Sequence, residues 1–117
     1  MNANKKGKRA EREVANMLNQ FFDANVRRTP QSGGMSIKGD IIDTQGILSE
    51  FHFEVKNQER LNIWKALDQA QADCPSRREP VVVFTKNHKP YYACMHFDDW
   101  MDLVKELEDL RAKTKGQ

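Results

Sequence analysis

The sequence predicts a three-layer α/β fold in which a mixed sheet lies between helices. Three stretches have the apolar spacing of amphipathic helices, and strand-like stretches separate them. Apolar and polar side chains alternate in residues 51–56, whereas residues 80–85 form a continuous apolar run. A chain of 117 residues is long enough to build one modest core. We therefore expect a single domain that spans residues 1–117.

The first helix is predicted to begin near Gly7, after a polar and basic arm formed by residues 1–6. Its apolar positions recur at intervals of three and four residues: Ala10, Val14, Met17, Leu18, Phe21 and Phe22. Residues 25–29 predict a short strand, which Pro30 ends. The small residues of the loop that follows can contact phosphate groups through backbone N–H groups and hydroxyls.

Glu11 is favoured over Glu13 as a functional acid on this helix. Helical spacing places Glu11 at the border of the apolar face, beside Val14 and Leu18, whereas Glu13 has more polar neighbours. An inward carboxylate needs a compensating partner, such as a metal ion or a basic group. The alternative is that Glu11 only interacts with the positive end of the helix dipole.

The segment from Gly39 to Lys56 is predicted to form an antiparallel hairpin around the turn-forming residues 43–46. Glu54 and Lys56 point to one face of its second strand, and Asp40 can come close to both. Two carboxylates can hold Mg²⁺ through oxygen ligands. A lysine can orient a water molecule beside a scissile phosphate. The alternative is a surface hairpin whose charges face solvent.

The second helix is predicted to follow Asn62, which is a suitable N-cap. Its apolar stripe consists of Ile63, Leu67, Ala70 and Cys74, with Trp64 at the edge. Residues 80–85 predict a strand that is buried on both faces, and residues 91–95 predict a last strand at an edge of the sheet.

Asp98 is predicted to cap a third helix. Its apolar residues are expected to face the core or a partner subunit: Trp100, Met101, Val104, Leu107 and Leu110. Its outer residues are acidic, so this helix should lie on the side of the molecule away from DNA.

The net charge of +2 hides a clustering of the basic residues. They precede the first helix, precede the loop and follow the second helix. Basic patches beside an acidic site suit a polyanion such as DNA, although each cluster could be ordinary surface charge. The predicted DNA-binding residues are Lys5, Lys6, Lys8, Arg9, Arg27, Arg28, Ser32 and Lys38.

Cys74 and Cys94 do not have the spacing of a metal site, which indicates a reduced, cytoplasmic protein. No apolar run approaches the ~20 residues that span a membrane, so we expect no membrane association. The expected location is the cytoplasm of a prokaryotic cell or of a phage-infected host.

Gly39 and Asp40, followed by Glu54, Val55 and Lys56, resemble the motif of the PD-(D/E)xK nucleases, with Gly39 where the family often has proline. A glutamate four residues after Gly7 and the Ser/Gly loop at 30–34 resemble the small Holliday-junction resolvases of archaea and phages. The resemblance covers residues 6–83 and implies a restriction-endonuclease-like α/β/α core with a mixed central sheet.

This resemblance implies a metal-dependent endonuclease that acts on branched DNA. The metal would be Mg²⁺, for which Mn²⁺ should substitute, and its ligands would be Asp40, Glu54, the Val55 carbonyl and Glu11. Lys56 would position the attacking water, and the loop residue Ser32 would contribute to strand cleavage.

The second helix would place a glutamine, either Gln69 or Gln71, near the metal in such a nuclease. Symmetric cleavage of a four-way junction needs two active sites, so a two-fold homodimer follows from that substrate.

Three other interpretations remain open. A nuclease of the same fold could act on nicks, flaps or other replication intermediates. A non-catalytic DNA-binding or assembly protein could keep the nuclease scaffold, although none of the expected polar residues is missing from the sequence. A small α/β protein without a nucleic-acid role would leave the inward glutamate and the acid–acid–lysine hairpin unexplained.

Overall fold

The structure is a computed structural model that describes residues 3–28, 41–42 and 46–115. These residues form three helices, named α1 (Ala3–Phe22), α2 (Ile63–Asp73) and α3 (Phe97–Lys115). They also form five strands, named β1 (Arg27–Arg28), β2 (Ile41–Ile42), β3 (Phe51–Asn57), β4 (Glu79–Thr85) and β5 (Tyr92–Met95). A 3₁₀ helix (Ile47–Glu50) directly precedes β3. The order of elements agrees with the sequence prediction.

The five strands form one mixed sheet in the order β1-β2-β3-β4-β5. β3 and β4 are parallel, and every other neighbouring pair is antiparallel. Ile41 lies opposite Phe53, which confirms the predicted antiparallel pairing of the segments on either side of the turn. The chain crosses from β3 to the parallel strand β4 through α2, as parallel neighbours require.

The two faces of the sheet pack against different helices. On one face, Phe53 and Val55 of β3 belong to a core cluster that also contains Ala10 of α1. On the other face, Val82 of β4 packs against Ala70 of α2, and both are fully buried. A mixed sheet between two helical layers confirms the predicted α/β/α architecture.

β3 is buried on both faces, which differs from the half-buried strand that its alternating pattern predicts. His52 and Glu54 are as buried as Phe53 and Val55. The physical reason is that β3 is the central strand, with a helical layer on each face. Polar side chains in such a place cost free energy unless they are hydrogen-bonded or paired, so their presence suggests a function.

α1 begins at Ala3 instead of near Gly7. The basic segment that was predicted to be a frayed arm contains lysines, which are favourable in helices, and one glycine weakens a helix without ending it. The prediction for α2 is confirmed, because the Lys65 N–H donates a hydrogen bond to Asn62 Oδ1 at 3.1 Å.

α3 begins one residue before the predicted cap and buries none of its residues. The sequence left two alternatives for the apolar face of α3, packing in the core and packing against a partner subunit. Packing in the core is wrong, because Trp100, Val104 and Leu107 are exposed. Trp64 of α2, at the edge of the predicted stripe, is 77% exposed and lies outside the core as well. The other alternative, a partner subunit, stays a prediction.

Replacing Glu79 at the start of β4 by glutamine should stabilise the protein at alkaline pH. Glu79 Oε2 is buried and has no hydrogen-bond partner among the residues that the structure describes. Burial raises the pKa of this carboxyl group, and the carboxylates of Asp99 and Asp102 in α3 raise it further. Folding therefore favours the protonated form, and the stability that it contributes is lost as the pH rises through the folded-state pKa.

We expect Glu79→Gln to raise the melting temperature by a few degrees at pH 8 and to change it little at pH 4. Thermal unfolding followed by circular dichroism measures both values. Asp68→Asn, which neutralises an exposed carboxylate on α2, is the control and should have no such pH-dependent effect. An unchanged or lower melting temperature for Glu79→Gln at pH 8 would contradict this account.

Candidate active site

Three polar side chains, His52, Glu54 and Lys56, lie on the face of β3 that α2 covers. They share this face because alternate residues of a strand point the same way. Lys56 Nζ donates a hydrogen bond to Oε1 of Gln69 in α2 at 3.3 Å, and His52 Nε2 lies 3.3 Å from Glu54 Oε1. We call these three residues the β3 polar row. The predicted common face of Glu54 and Lys56 is one part of it.

Burial dominates the electrostatics of the β3 polar row. Glu54 is 2% exposed and His52 is 3% exposed. An ionised carboxylate in such a place is costly unless a hydrogen-bond donor or a cation compensates it. The His52 ring can donate from Nε2 to Glu54 Oε1, which would fix the tautomer and hold the carboxylate in place. The Glu54 carboxyl group is therefore a suitable ligand for a cation that enters this face of the sheet.

The contact with Lys56 selects Gln69 over Gln71. Gln69 is three residues after Ala66, a buried residue of α2, so it lies near the sheet-facing side of the helix. Both glutamines are exposed, but Gln71 lines a different cleft, together with Glu79. The Gln69 amide oxygen accepts a hydrogen bond from the Lys56 ammonium group and so orients the cation at the end of the row.

Glu11 is 8% exposed, in agreement with the predicted inward orientation. Arg28 Nε of β1 donates a hydrogen bond to Glu11 Oε2 at 2.7 Å. Glu13 is exposed and accepts hydrogen bonds from Arg9 and from the Tyr91 hydroxyl, the latter at 2.6 Å. The buried carboxylate of Glu11 thus has a basic side chain as its partner, one of the two kinds of partner that its position predicts.

Burial raises the pKa of the Tyr91 hydroxyl, and the hydrogen bond to Glu13 raises it further. Tyr91 therefore stays protonated at physiological pH and acts as a hydrogen-bond donor. This contact joins Tyr91, the residue before β5, to α1 and fixes the position of the Glu13 carboxylate.

Asp40, Ser32 and Lys38 lie outside the described residues. Within the described ranges, no group of three or more His, Cys, Asp or Glu side chains is arranged to hold a metal ion. Val55 has its side chain in the core on the α1 side of the sheet, and the role predicted for its carbonyl stays a prediction. The predicted role of Asp40 as a second carboxylate at the β3 polar row stays a prediction.

Two of the four predicted DNA-binding residues of α1, Lys6 and Arg9, border a cleft of about 390 Å³. Lys6 and Arg9 line one wall of this cleft, and Lys86, His88 and Lys89 line the other. The second group belongs to the turn between β4 and β5, residues 86–91, which the sequence prediction did not select for DNA binding. We call this opening the basic cleft.

The basic cleft lies at the end of β3, because its lining includes Asn57, the last residue of that strand. Successive residues of a strand point to opposite faces, so Asn57 faces the α1 side of the sheet, whereas the β3 polar row faces α2. Asn57 Oδ1 is buried and has no hydrogen-bond partner in the part of the chain that the structure describes.

The turn on the far wall of the basic cleft is held firmly. The Thr85 hydroxyl lies 2.8 Å from the Lys89 carbonyl oxygen, and Glu59 Oε2 accepts a hydrogen bond from the Asn87 N–H at 2.9 Å. His88 has a φ of 64°, which closes the turn in the left-handed region. These contacts fix the backbone from which Lys86 and Lys89 extend.

Two patterns in the sequence could have identified His52 and the basic residues of the turn, which the sequence prediction did not select. His52 is two residues before Glu54, so an expected strand already placed both on one face. Lys86, His88 and Lys89 lie together in a predicted turn, and cations in a turn beside a site suit contact with phosphate groups.

A family model described as "Phage putative PDDEXK endonuclease" matches residues 2–115. The matched range includes α1, the β3 polar row, the basic cleft and α3. Comparison with curated proteins and with solved structures gave no match. None of the described helices combines the length and the apolar character that crossing a membrane requires.

Proposed function

We propose that this chain, which belongs to the phage PDDEXK endonuclease family, hydrolyses DNA phosphodiester bonds. The reaction would take place at the β3 polar row with the help of Mg²⁺. Family membership establishes a nuclease-type protein that binds DNA. The metal dependence, the branched substrate and the homodimer are proposals. The DNA would be that of a phage-infected cell.

The observation that carries this proposal is the burial of Glu54 beside Lys56 on a central strand. A buried carboxylate and a half-buried ammonium group on one face are costly to a fold that does not use them. β2 pairs with β3 beside the β3 polar row, since Ile41 lies opposite Phe53. Asp40 directly precedes Ile41 in the sequence. This register supports the convergence of Asp40 and Glu54.

The donor set fits Mg²⁺, which prefers carboxylate oxygens together with water and phosphate oxygens. Asp40, Glu54 and the Val55 carbonyl would bind it, and Glu11 would complete the shell or hold a ligand water. Mn²⁺ prefers similar oxygen ligands and should substitute. When bound, the metal would supply positive charge that stabilises the transition state at the phosphate.

The chain's own residues would divide the remaining tasks. Lys56, held by Gln69, would orient the attacking water and stabilise negative charge on the transition state. His52 would keep the Glu54 carboxylate in a fixed orientation. Ser32 would contribute to strand cleavage, which the resemblance to resolvases alone suggests. Hydrolysis would leave 5′-phosphate ends if the family pattern holds.

The basic cleft would bind the DNA backbone where it passes the end of β3. Four of its lining residues, Lys6, Arg9, Lys86 and Lys89, are cations, against the single carboxylate of Glu13. Lysine and arginine neutralise phosphates and release counterions, so binding should weaken as salt increases.

Removing two charges from the turn should weaken DNA binding without a change in sequence preference. We expect Lys86→Gln with Lys89→Gln to lower the affinity several-fold and to reduce the slope of log K against log salt by about 2, since each lost phosphate contact removes about 1. Fluorescence anisotropy with a labelled duplex over a range of salt concentrations gives this slope.

The matched control removes the same number of charges elsewhere. Arg77→Gln with Lys65→Gln changes one exposed residue at the opposite end of β4 and one on α2. This variant should keep the wild-type slope. Equal slopes for both double variants would show that the turn does not contact DNA.

The substrate proposal is tested with a labelled four-way junction beside linear duplex, flap, nicked and single-stranded DNA. Paired symmetric nicks on the junction, in Mg²⁺ but not in EDTA, are the expected result. Mg²⁺-dependent cleavage of flaps or nicks alone would keep the nuclease and discard the resolvase. Tight binding to DNA without cleavage of any substrate would favour a DNA-binding protein on the nuclease scaffold.

A further inference from the structure

α3 carries a continuous apolar stripe that the described part of the chain leaves uncovered. Six of its apolar residues are exposed: Phe97, Trp100, Met101, Val104, Leu107 and Leu110. Four of them follow one another at intervals of three, four and three residues: Phe97, Trp100, Val104 and Leu107. This is the spacing of a helix that packs against another helix. The rings of Phe97 and Trp100 stack with their centroids 5.7 Å apart.

The apolar stripe of α3 indicates a packing partner, because amphipathic helices gain most of their stability from the packing of their apolar face. Lys105 contacts Glu108 at 3.1 Å and Asp109 at 3.3 Å within α3, but exposed pairs of this type add little. Monomeric proteins rarely expose a large contiguous apolar patch, and such patches usually mark an interaction site. The acidic residues of α3 exclude DNA as the occupant.

We infer that the occupant is α3 of a second copy of this chain, packed antiparallel to the first. The charges along the helix select this arrangement. The first turn carries Asp98 and Asp99, and the last turn carries Lys113 and Lys115. A parallel pair would bring like charges together, whereas an antiparallel pair brings each acidic end against a basic end.

One register satisfies the apolar stripe and the charges at the two ends of the helix together, and it also sets Asp102 against Asp109 of the other copy as an unfavourable pair. When the two-fold axis passes between Lys105 and Glu106, Val104 of each copy faces Leu107 of the other, and Met101 faces Leu110. The same register sets Asp98 against Lys113 and Trp100 against Arg111. Arginine over an aromatic ring is a favourable contact. The interface uses the same surface on both copies, as a two-fold dimer requires.

This inference deepens the homodimer of the proposed function by naming the surface that forms it, and its evidence comes from α3 alone. It would give the nuclease the two active sites that paired cuts need. The oligomeric state is measured without DNA, so a failure of the dimer and a failure of the nuclease can be told apart.

Analytical ultracentrifugation of the full chain at micromolar concentration tests the dimer. Wild type should sediment as a dimer, and Leu107→Glu should be a monomer with an unchanged circular dichroism spectrum at low temperature, because Leu107 is 47% exposed. Trp64→Glu makes the same chemical change at an exposed position of α2 and should stay dimeric. A monomeric wild type, or a dimer that only Trp64→Glu dissociates, would overturn the inference.

A charge exchange tests the orientation of the two helices. Changing Asp98 and Asp99 to lysine should weaken the dimer at least tenfold, because lysines would then face Lys113 and Lys115 of the other copy. Adding Lys113→Glu and Lys115→Glu should restore it, although these changes oppose the helix dipole. A parallel pair would show no such restoration, and that result would overturn the antiparallel arrangement.

Discussion

Glu54→Gln should lower the rate of DNA cleavage by about 10²–10³-fold, the usual effect of removing one group that acts on transition-state charge. Glutamine has nearly the same shape as glutamate and can still accept a hydrogen bond from His52, so the fold should persist. It lacks the charge that holds a divalent cation. The loss should therefore appear in cleavage and not in DNA binding.

Single-turnover cleavage of labelled DNA measures this effect, with fluorescence anisotropy for binding and thermal unfolding for the fold. The control is Asp68→Asn, which removes an exposed carboxylate on α2 and should cleave at the wild-type rate. If Glu54→Gln is folded, binds DNA and cleaves at the wild-type rate, the β3 polar row is not the catalytic site.

Glu11→Met should destabilise the protein by about 2 kcal/mol, because it leaves the partly buried Arg28 guanidinium without its carboxylate. The same change should lower the cleavage rate if Glu11 completes the metal shell. Destabilisation and loss of activity would then occur together, so the single variant cannot separate a structural role from a catalytic one.

The double variant Glu11→Met with Arg28→Met separates these roles when cleavage is measured at saturating DNA, because Arg28 is also a predicted DNA-binding residue. Replacing both members of a buried pair by apolar residues restores most of the stability. We expect the unfolding midpoint in urea to return close to that of the wild type while cleavage stays reduced at least tenfold. Full recovery of cleavage together with stability would show that Glu11 only pairs with Arg28.

The sequence was sufficient for the α/β/α fold and for the common face of Glu54 and Lys56. Both depend on local periodicity, since residues two apart on a strand share a face wherever the strand lies. The inward orientation of Glu11 was predictable for the same reason, because helical spacing fixes which side chains border an apolar face.

Other features depend on packing between distant segments and could not be read locally. The alternating pattern of β3 does not show that helices cover both faces, so the burial of His52 was missed. Gln69 and Gln71 are equivalent in sequence until the sheet-facing side of α2 is known. The exposed stripe of α3 looks the same in sequence as a core-facing helix.

The most direct test of the central claim is the single-turnover rate of DNA cleavage as a function of Mg²⁺ concentration, for the wild type and for Asp40→Asn. The account predicts a rate that rises to saturation with Mg²⁺, is abolished by EDTA and recovers with Mn²⁺. Asp40→Asn should bind DNA but cleave it at least 10²-fold more slowly. Cleavage that persists in EDTA, or an Asp40→Asn variant with the wild-type rate, would contradict it.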